Sequence, residues 1–271
     1  MLNIDSVRRI VVKIGTSTLT YPNGKLNIRR IEHLVRCVSD LANRGYEMVL
    51  VSSGAVGVGA SKMGLAERPQ ELAMKQAAAA VGQCELMHIY DKMFLEYGIT
   101  VAQLLLTRHD ILAGSRRDNI QNTFDALLSM RTVPIVNEND TVAVEEIEAI
   151  ETFGDNDTLS AVVARLCQAD LLVILTDMDG LFDSDPRRNP QAKLIPLVKK
   201  IDDKLRGIAG GAGTANGTGG MATKLSAAEL CMDAGIPMLV TNGERPEDLY
   251  DIMDGKPIGT LFYRKGALTG E

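Results

Sequence analysis

Tryptophan is absent, and the 271 residues hold only three histidines and four cysteines. The cysteines (Cys37, Cys84, Cys167, Cys231) are far apart and form no C-x-x-C pair, so neither a zinc knuckle nor a disulfide framework is suggested. They read as buried free thiols of a reducing compartment. His33 and Cys37 stand four apart on an expected helix, but two ligands do not make a metal site. No run of about 18 apolar residues occurs, and the N-terminal apolar stretch is interrupted by Lys13 and followed by Gly15. Neither a membrane span nor a signal peptide is read, and a cytoplasmic protein is expected. Excess positive charge is missing too: the net charge of −6 argues against a broad nucleic-acid or anionic-membrane surface. It leaves room for a small anionic substrate, because a site can be locally basic.

What is present is a chain of short apolar runs separated by longer helical patterns. RRIVVKIGT (8–16), EMVLVSSG (47–54), TVAQLLL (100–106), VPIVNEND (133–140), LLVILTD (171–177), PMLVTNG (237–243) and a short GTLFY (259–263) read as strands. Helices are expected over 29–45, from Ala55, over 71–98, 115–130, 157–169 and 221–235, and over 246–253. Near-continuous apolar strands alternating with helices indicate an α/β protein, with a mostly parallel sheet covered on both faces. There is no internal repeat, and the one low-complexity patch is the glycine-rich loop at 207–220. Polar residues gather where strands end: Thr16, Ser52-Ser53-Gly54, Asn137 to Asp140, and Thr176-Asp177. In open α/β sheets the carboxyl edge is where ligands bind.

Several stretches on that edge carry chemistry. GTGGMATK (217–224) places glycines ahead of a helix, whose free N–H groups and positive end favour an anion. Lys224 in that first turn opposes the helix dipole, which a bound anion would explain. The P-loop spacing is absent. Gly217, Gly219 and Ala222 match G-x-G-x-x-A, but a glycine-rich loop rather than a strand precedes them. A flexible loop with an ordinary surface lysine is the plainer alternative. Lys13 lies inside an apolar strand, so it either escapes at an edge or meets an anionic partner. Ser53 to Gly57 could hold a phosphoryl oxygen or a carboxylate, or could simply be a tight turn. In GDND (154–157), Asp155 or Asn156 could merely cap the following helix. A metal cluster of Glu145, Glu146, Glu148 and Glu151 is not favoured over a solvated loop. Asp177 could bind an adenosine hydroxyl, a magnesium shell, or nothing.

Together and in order, VVKIGTSTLT, VSSGAVGVG, PIVNENDTV, FGDNDTLSA, LTDMDGLFDSDPR and GTGGMATK resemble the glutamate 5-kinases, within the amino-acid kinase family. The likeness runs from Lys13 to the final GTLFY. It implies a three-layer αβα sandwich and transfer of the ATP γ-phosphoryl to the side-chain carboxylate of L-glutamate, the first step towards proline. It further implies Lys13 on the ATP phosphates, Lys224 near the transferred group and Asp157 orienting both lysines. Ser53, Gly54, Asp140 and Asn156 would hold glutamate. Thr176, Asp177, Thr218, Gly219, Gly220, Met221, Ala222 and Thr223 would line the nucleotide site with Lys224. Magnesium would bridge the β and γ oxygens. An already ionised carboxylate nucleophile needs no general base, so the scarcity of histidine is no objection.

The same resemblance implies a homo-oligomer, proline as feedback inhibitor and handover of product to glutamyl phosphate reductase. A single kinase domain over 1–271 is expected, with an amino-acid side at about 1–165 and a nucleotide side at about 166–271. Many family members continue into a PUA domain, and none is expected here. The segment between NEND and GDND looks longer than usual, which bears on the shape of the glutamate loop. Two other readings stand beside this one: a sibling kinase acting on another carboxylate, carbamate or phosphate acceptor, and a non-catalytic amino-acid sensor. Both lysines being present argues against the sensor.

Overall fold

Strand β1 (Arg9–Ile14) is the hub of the sheet: its neighbours are β2 (Glu47–Val51) on one side and β5 (Leu171–Thr176) on the other, both parallel to it. The computed structural model describes residues 3–21, 23–112, 114–142, 155–209 and 220–264. Within these the 8-stranded sheet has the order β3-β4-β2-β1-β5-β7-β8-β6. The remaining strands are β3 (Val101–Leu106), β4 (Val133–Glu138), β6 (Leu197–Val198), β7 (Met238–Asn242) and β8 (Thr260–Phe262). Only the β7–β8 pairing is antiparallel. Because β1, β2, β4 and β5 run the same way, their carboxyl ends share one edge. Register aligns those ends, with Lys13 opposite Val51 on one side and Ile174 on the other. The order reverses between β1 and β5, where such sheets open a crevice.

Helices cover both faces. Val11, Val49, Val51, Leu172 and Ile174 face a core built with α6 (Gly114–Ser129), α7 (Asn156–Leu166) and α9 (Met221–Asp233). Ile10, Val12, Ile14, Leu50 and Val173 face the opposite core, built with α2 (Ile28–Asn43), α4 (Leu72–Leu95) and α10 (Asp248–Met253). This is the expected three-layer αβα arrangement. Helix α2 shows how the local sequence achieves it. Asn27 caps its start by accepting from the Arg30 N–H at 3.2 Å. Ile31, Leu34, Val35, Val38 and Leu41, at helical spacing, are buried. Each such aliphatic side chain contributes about 1.5–3 kcal/mol on burial.

The small-residue helix α3 (Ala55–Lys62) lies against α4 at unusually close range. A Cβ on Gly59 would come 1.7 Å from the Ala78 carbonyl, and one on Gly82 would come 1.8 Å from the Ala55 carbonyl. Mid-helix glycine costs about 1 kcal/mol of helix propensity, and here it permits backbone-to-backbone contact that no other residue allows.

Several short elements depart from the sequence expectation. Strand β1 stops at Ile14 and a single turn, α1 (Thr16–Leu19), follows at once; α5 (Arg108–Leu112), α8 (Asp203–Ala209) and strand β6 were not foreseen. All are too short for a periodic signal. The cysteines need one correction: Cys37, Cys167 and Cys231 are buried, but Cys84 is exposed on α4. Among the described residues no helix is long and apolar enough to cross a membrane.

Candidate active site

Strand alternation puts Lys13 on the same face as Val11, beneath α7 and α9, and one residue short of the strand's end. Its side chain is buried there, which requires a partner. Asp157, in the first turn of α7 and only 1% exposed, supplies it: the Lys13 Nζ lies 2.8 Å from Oδ1. On the other oxygen, Oδ2, the Lys224 ammonium approaches to 3.1 Å and the Thr223 hydroxyl donates at 2.7 Å. Among the described residues Oδ1 has no aligned hydrogen-bond donor, so the Lys13 contact there is one of charge. Burial pushes the Asp157 carboxyl up, but the Coulomb attraction of Lys13 and Lys224 and the hydrogen bonding to Asp157 together outweigh it and bring the value down to about 2. Two positive groups on one negative group leave a formal surplus of one positive charge.

Local sequence explains how three elements converge. Asp155 caps α7, accepting from the Thr158 N–H at 2.8 Å and from its hydroxyl at 2.9 Å. That cap sets Asn156 and Asp157 in the first turn, where the helix dipole favours a carboxylate. Of the two residues considered as caps, Asp155 therefore fills the role, and Asn156 is left for other contacts. Helix α9 begins after Gly220 with no side-chain cap, and Lys224 sits in its first turn. The anion that offsets this lysine's position against the dipole is, at least in part, Asp157 of the same chain. The two lysines share one carboxylate because Lys13 and both helices lie on one face of the sheet.

A second cluster adjoins the first. The Asn156 Nδ2, with two protons to donate, lies within hydrogen-bond distance of three acceptors: the Ser52 carbonyl at 2.9 Å, the Ser53 hydroxyl at 2.7 Å and the Asn137 Oδ1 at 3.1 Å. Asn137 in turn donates from Nδ2 to the Gln83 Oε1 at 3.0 Å. Gly54 caps α3 with φ +93°, the left-handed region, and makes no side-chain cap to the first N–H groups of that helix. Uncapped N–H groups at a helix start favour an anionic ligand.

A cleft of ≈ 1160 Å³ runs along this edge. Ser53, Gly54, Asp140 and Asn156 line it, together with Lys13, Asp157, Lys224, Thr176 and Asp177. The Asp177 carboxylate accepts from Arg187 at 3.0 Å and from the Thr176 hydroxyl at 3.2 Å.

Residues 8–242 match the family model described as the amino acid kinase family. The chain belongs to this family.

Among curated members, the glutamate 5-kinase of Clostridium perfringens (strain 13 / Type A) is 55% identical over 259 residues, covering 95% of this chain and 96% of that protein. The glutamate 5-kinase of Listeria monocytogenes serotype 4b (strain CLIP80459) is 52% identical over 263 residues, 97% of this chain and 95% of its own. A crystal structure of UMP kinase from Ureaplasma parvum superposes with a TM-score of 0.65 at 16% identity, covering 95% of this chain and 99% of that one. Isopentenyl phosphate kinase from T. acidophilum gives 0.62 at 18% identity, with 93% and 99% covered. At such identities these two share the fold.

Within this amino acid kinase domain, not every residue singled out from sequence reaches the cleft. Gly220, Met221, Ala222 and Thr223 do not form its walls; Thr223 stands behind them, on Asp157. Thr218 and Gly219 lie outside the described residues, as do Glu145, Glu146, Glu148 and Glu151. Sequence reasoning missed Arg68, Gln70, Lys75 and Gln76, which line the cleft from the loop before α4 and from its first turn. Strand-end reasoning has no means of finding them, since they reach the sheet edge only through the packing of α4 on α3. Gln83 was missed for the same reason.

Proposed function

We propose that this chain transfers the γ-phosphoryl group of ATP, taken up as MgATP, to the side-chain carboxylate of L-glutamate, giving L-glutamyl 5-phosphate, the first step of proline biosynthesis. One observation carries the reading: Lys13 and Lys224 converge on buried Asp157 at the crevice of the sheet, in a chain 55% identical to a glutamate 5-kinase. Phosphoryl transfer between two oxygens asks a protein for positioning and charge rather than covalent chemistry. The lysine pair offers its surplus positive charge to the equatorial oxygens of the group in flight, and Asp157 keeps both ammonium groups fixed so that little reorganisation is needed. The acceptor carboxylate is ionised at neutral pH and attacks without a base.

Glutamate occupies the end of the cleft bearing Ser53, Gly54, Asp140 and Asn156, with Asp140 accepting from its ammonium group. The nucleotide lies towards Thr176 and Asp177. The N-terminal part, about 1–165, is thus the amino-acid side and about 166–271 the nucleotide side. Among the described residues no group of three His, Cys, Asp or Glu could hold a metal ion. Magnesium would arrive on the phosphates and be held mainly by their oxygens and water. Proline shares the α-carboxylate and ammonium of glutamate, so the groups that hold these in the substrate hold the inhibitor too. The product is a reactive acyl phosphate, which favours direct handover to glutamyl phosphate reductase, and a homo-oligomer belongs to the same reading.

Trapping the acyl phosphate with hydroxylamine tests the proposal. ATP-dependent hydroxamate from L-glutamate, and little from L-aspartate, is expected. ATP consumption without hydroxamate, or a preference for aspartate, refutes it.

A further inference from the structure

Helix α4 buries Ala78, Ala79, Gly82, Gln83, Leu86, Tyr90 and Phe94. Two of these, Gln83 and Tyr90, are polar, and each meets a side chain near a strand end. Tyr90 shares a hydrogen bond of 3.0 Å with the Ser52 hydroxyl, and Gln83 accepts from Asn137 at 3.0 Å. Gln83 does not line the cleft. Its buried amide, on a helix pinned against α3 by the adjacent Gly82, has no part in the chemistry described above.

The contacts form a chain with a direction. Its fixed point is the Ser52 carbonyl, a backbone acceptor that cannot be turned round. Because the Asn156 amide lies 2.9 Å from that carbonyl, the nearer atom must be Nδ2, the donor. Nδ2 then faces Asn137 at 3.1 Å, which must present Oδ1 and therefore turns its own Nδ2 towards Gln83. Gln83 closes the chain by presenting Oε1. With the amide order fixed, Asn156 keeps Oδ1 as the acceptor it can offer to the cleft. The Ser53 hydroxyl, which accepts from Asn156 at 2.7 Å, keeps its proton to donate. An acceptor and a donor side by side match the ammonium and the α-carboxylate of an amino acid.

We propose that Gln83 is a positioning residue that holds the Asn137–Asn156–Ser53 chain in place, and thereby sets the preference for an α-amino acid over the same acid without its amino group. This rests on the glutamate kinase reading above. Without an acceptor at position 83, the buried Nδ2 of Asn137 lacks a partner, and the Asn137 side chain shifts to find one. Asn156, still facing the Ser52 carbonyl, then loses its contact with the Asn137 Oδ1, and its own Oδ1 is held less firmly against the substrate ammonium.

The test compares Gln83→Met, which keeps length and burial but has no amide acceptor, with Gln83→Glu, which keeps an oxygen at that position. Full-length protein is assayed with MgATP and either L-glutamate or glutarate, the dicarboxylate lacking the amino group. Where glutarate turns over too slowly it is measured as a competitive inhibitor. Gln83→Met is expected to raise the glutamate KM about tenfold or more and to lower the preference for glutamate over glutarate about tenfold, the scale of one hydrogen bond to a charged group. The KM for ATP should stay within about twofold, and Gln83→Glu should keep most of the preference. Should Gln83→Met not fold, Gln83→Asn, one methylene too short to reach Asn137, makes the same comparison. An unchanged glutamate-to-glutarate preference overturns the proposal, as does a Gln83→Glu variant that loses it as fully as Gln83→Met; loosening of the fold alone would weaken both ligands together. Failure of the wild-type protein itself to phosphorylate glutamate is a separate outcome, refuting the kinase reading and the role of Gln83 with it.

Discussion

Replacing Asp157 by asparagine removes one charge and almost no volume from the centre of the cleft. Asp157 is 1% exposed and holds two buried lysines, so its charge is barely screened by solvent. Its carboxyl is lowered from 3.8 to about 2, burial raising it and the two lysines with the Thr223 hydrogen bond together lowering it by more. At about 1.4 kcal/mol per unit this is roughly 2 kcal/mol of stability from the ionised form. Removing the partner of buried charges costs more, typically about 3–5 kcal/mol, because the ammonium groups remain. At roughly 2–4 °C per kcal/mol for a chain of this size, the Asp157→Asn melting temperature should fall by about 6–20 °C at pH 7. A group whose value is depressed on folding stabilises the protein above its unfolded value and loses that contribution as the pH drops through its folded one. The gap between wild type and variant should therefore be full at pH 7 and pH 5, then narrow as the pH falls from about 4 towards 2. Thermal melts at pH 7, 5 and 3 read this directly, and hydroxamate formation should fall about 10²–10³-fold alongside. Equal melting temperatures at pH 7, or a gap that persists undiminished at pH 3, would show that Asp157 is not the ionised hub of the lysine pair.

The remaining predictions concern its neighbours. Lys224→Ala should cut turnover about 10²–10³-fold, the scale for losing one stabiliser of transition-state charge, with a smaller effect on the ATP KM; near-normal turnover sinks that assignment. Asp140→Ala should raise the glutamate KM strongly and leave the ATP KM unchanged, and steady-state kinetics showing an unaltered glutamate KM would remove Asp140 from the ammonium site. Gly82→Ala should destabilise the fold by about 1–3 kcal/mol in urea unfolding, since its Cβ would lie 1.8 Å from the Ala55 carbonyl and must push α4 off α3. A neutral result would mean that the two helices separate at little cost.

How much of this was legible in the chain itself follows from the range of each interaction. Apolar runs bounded by turns, and helical spacing such as that of Ile31, Leu34, Val35, Val38 and Leu41, are local patterns, so the alternation of strands and helices and the parallel sheet could be read directly. The carboxyl edge could also be found, because polar residues end several of these strands in sequence: Ser53 after β2, Asn137 within the end of β4, Thr176 at the end of β5. A lysine inside an apolar strand demands an anionic partner, and that demand is written at Lys13. Which carboxylate answers it is not written locally; only the family resemblance pointed to Asp157. Asp157 is 144 positions away from Lys13 and 67 from Lys224, and only the packing of α7 and α9 over β1 brings the three within 3.1 Å. The direction of the amide chain from Ser52 to Gln83 is likewise a property of packing. It depends on a backbone carbonyl, two strand ends and a glycine contact between helices, none of them adjacent in sequence. Local pattern determined the sheet and its reactive edge, because those depend on neighbouring residues; the pairing of charges and the polarity of the amides were decided by tertiary structure, because hydrogen bonds and buried ion pairs act only over a few ångströms.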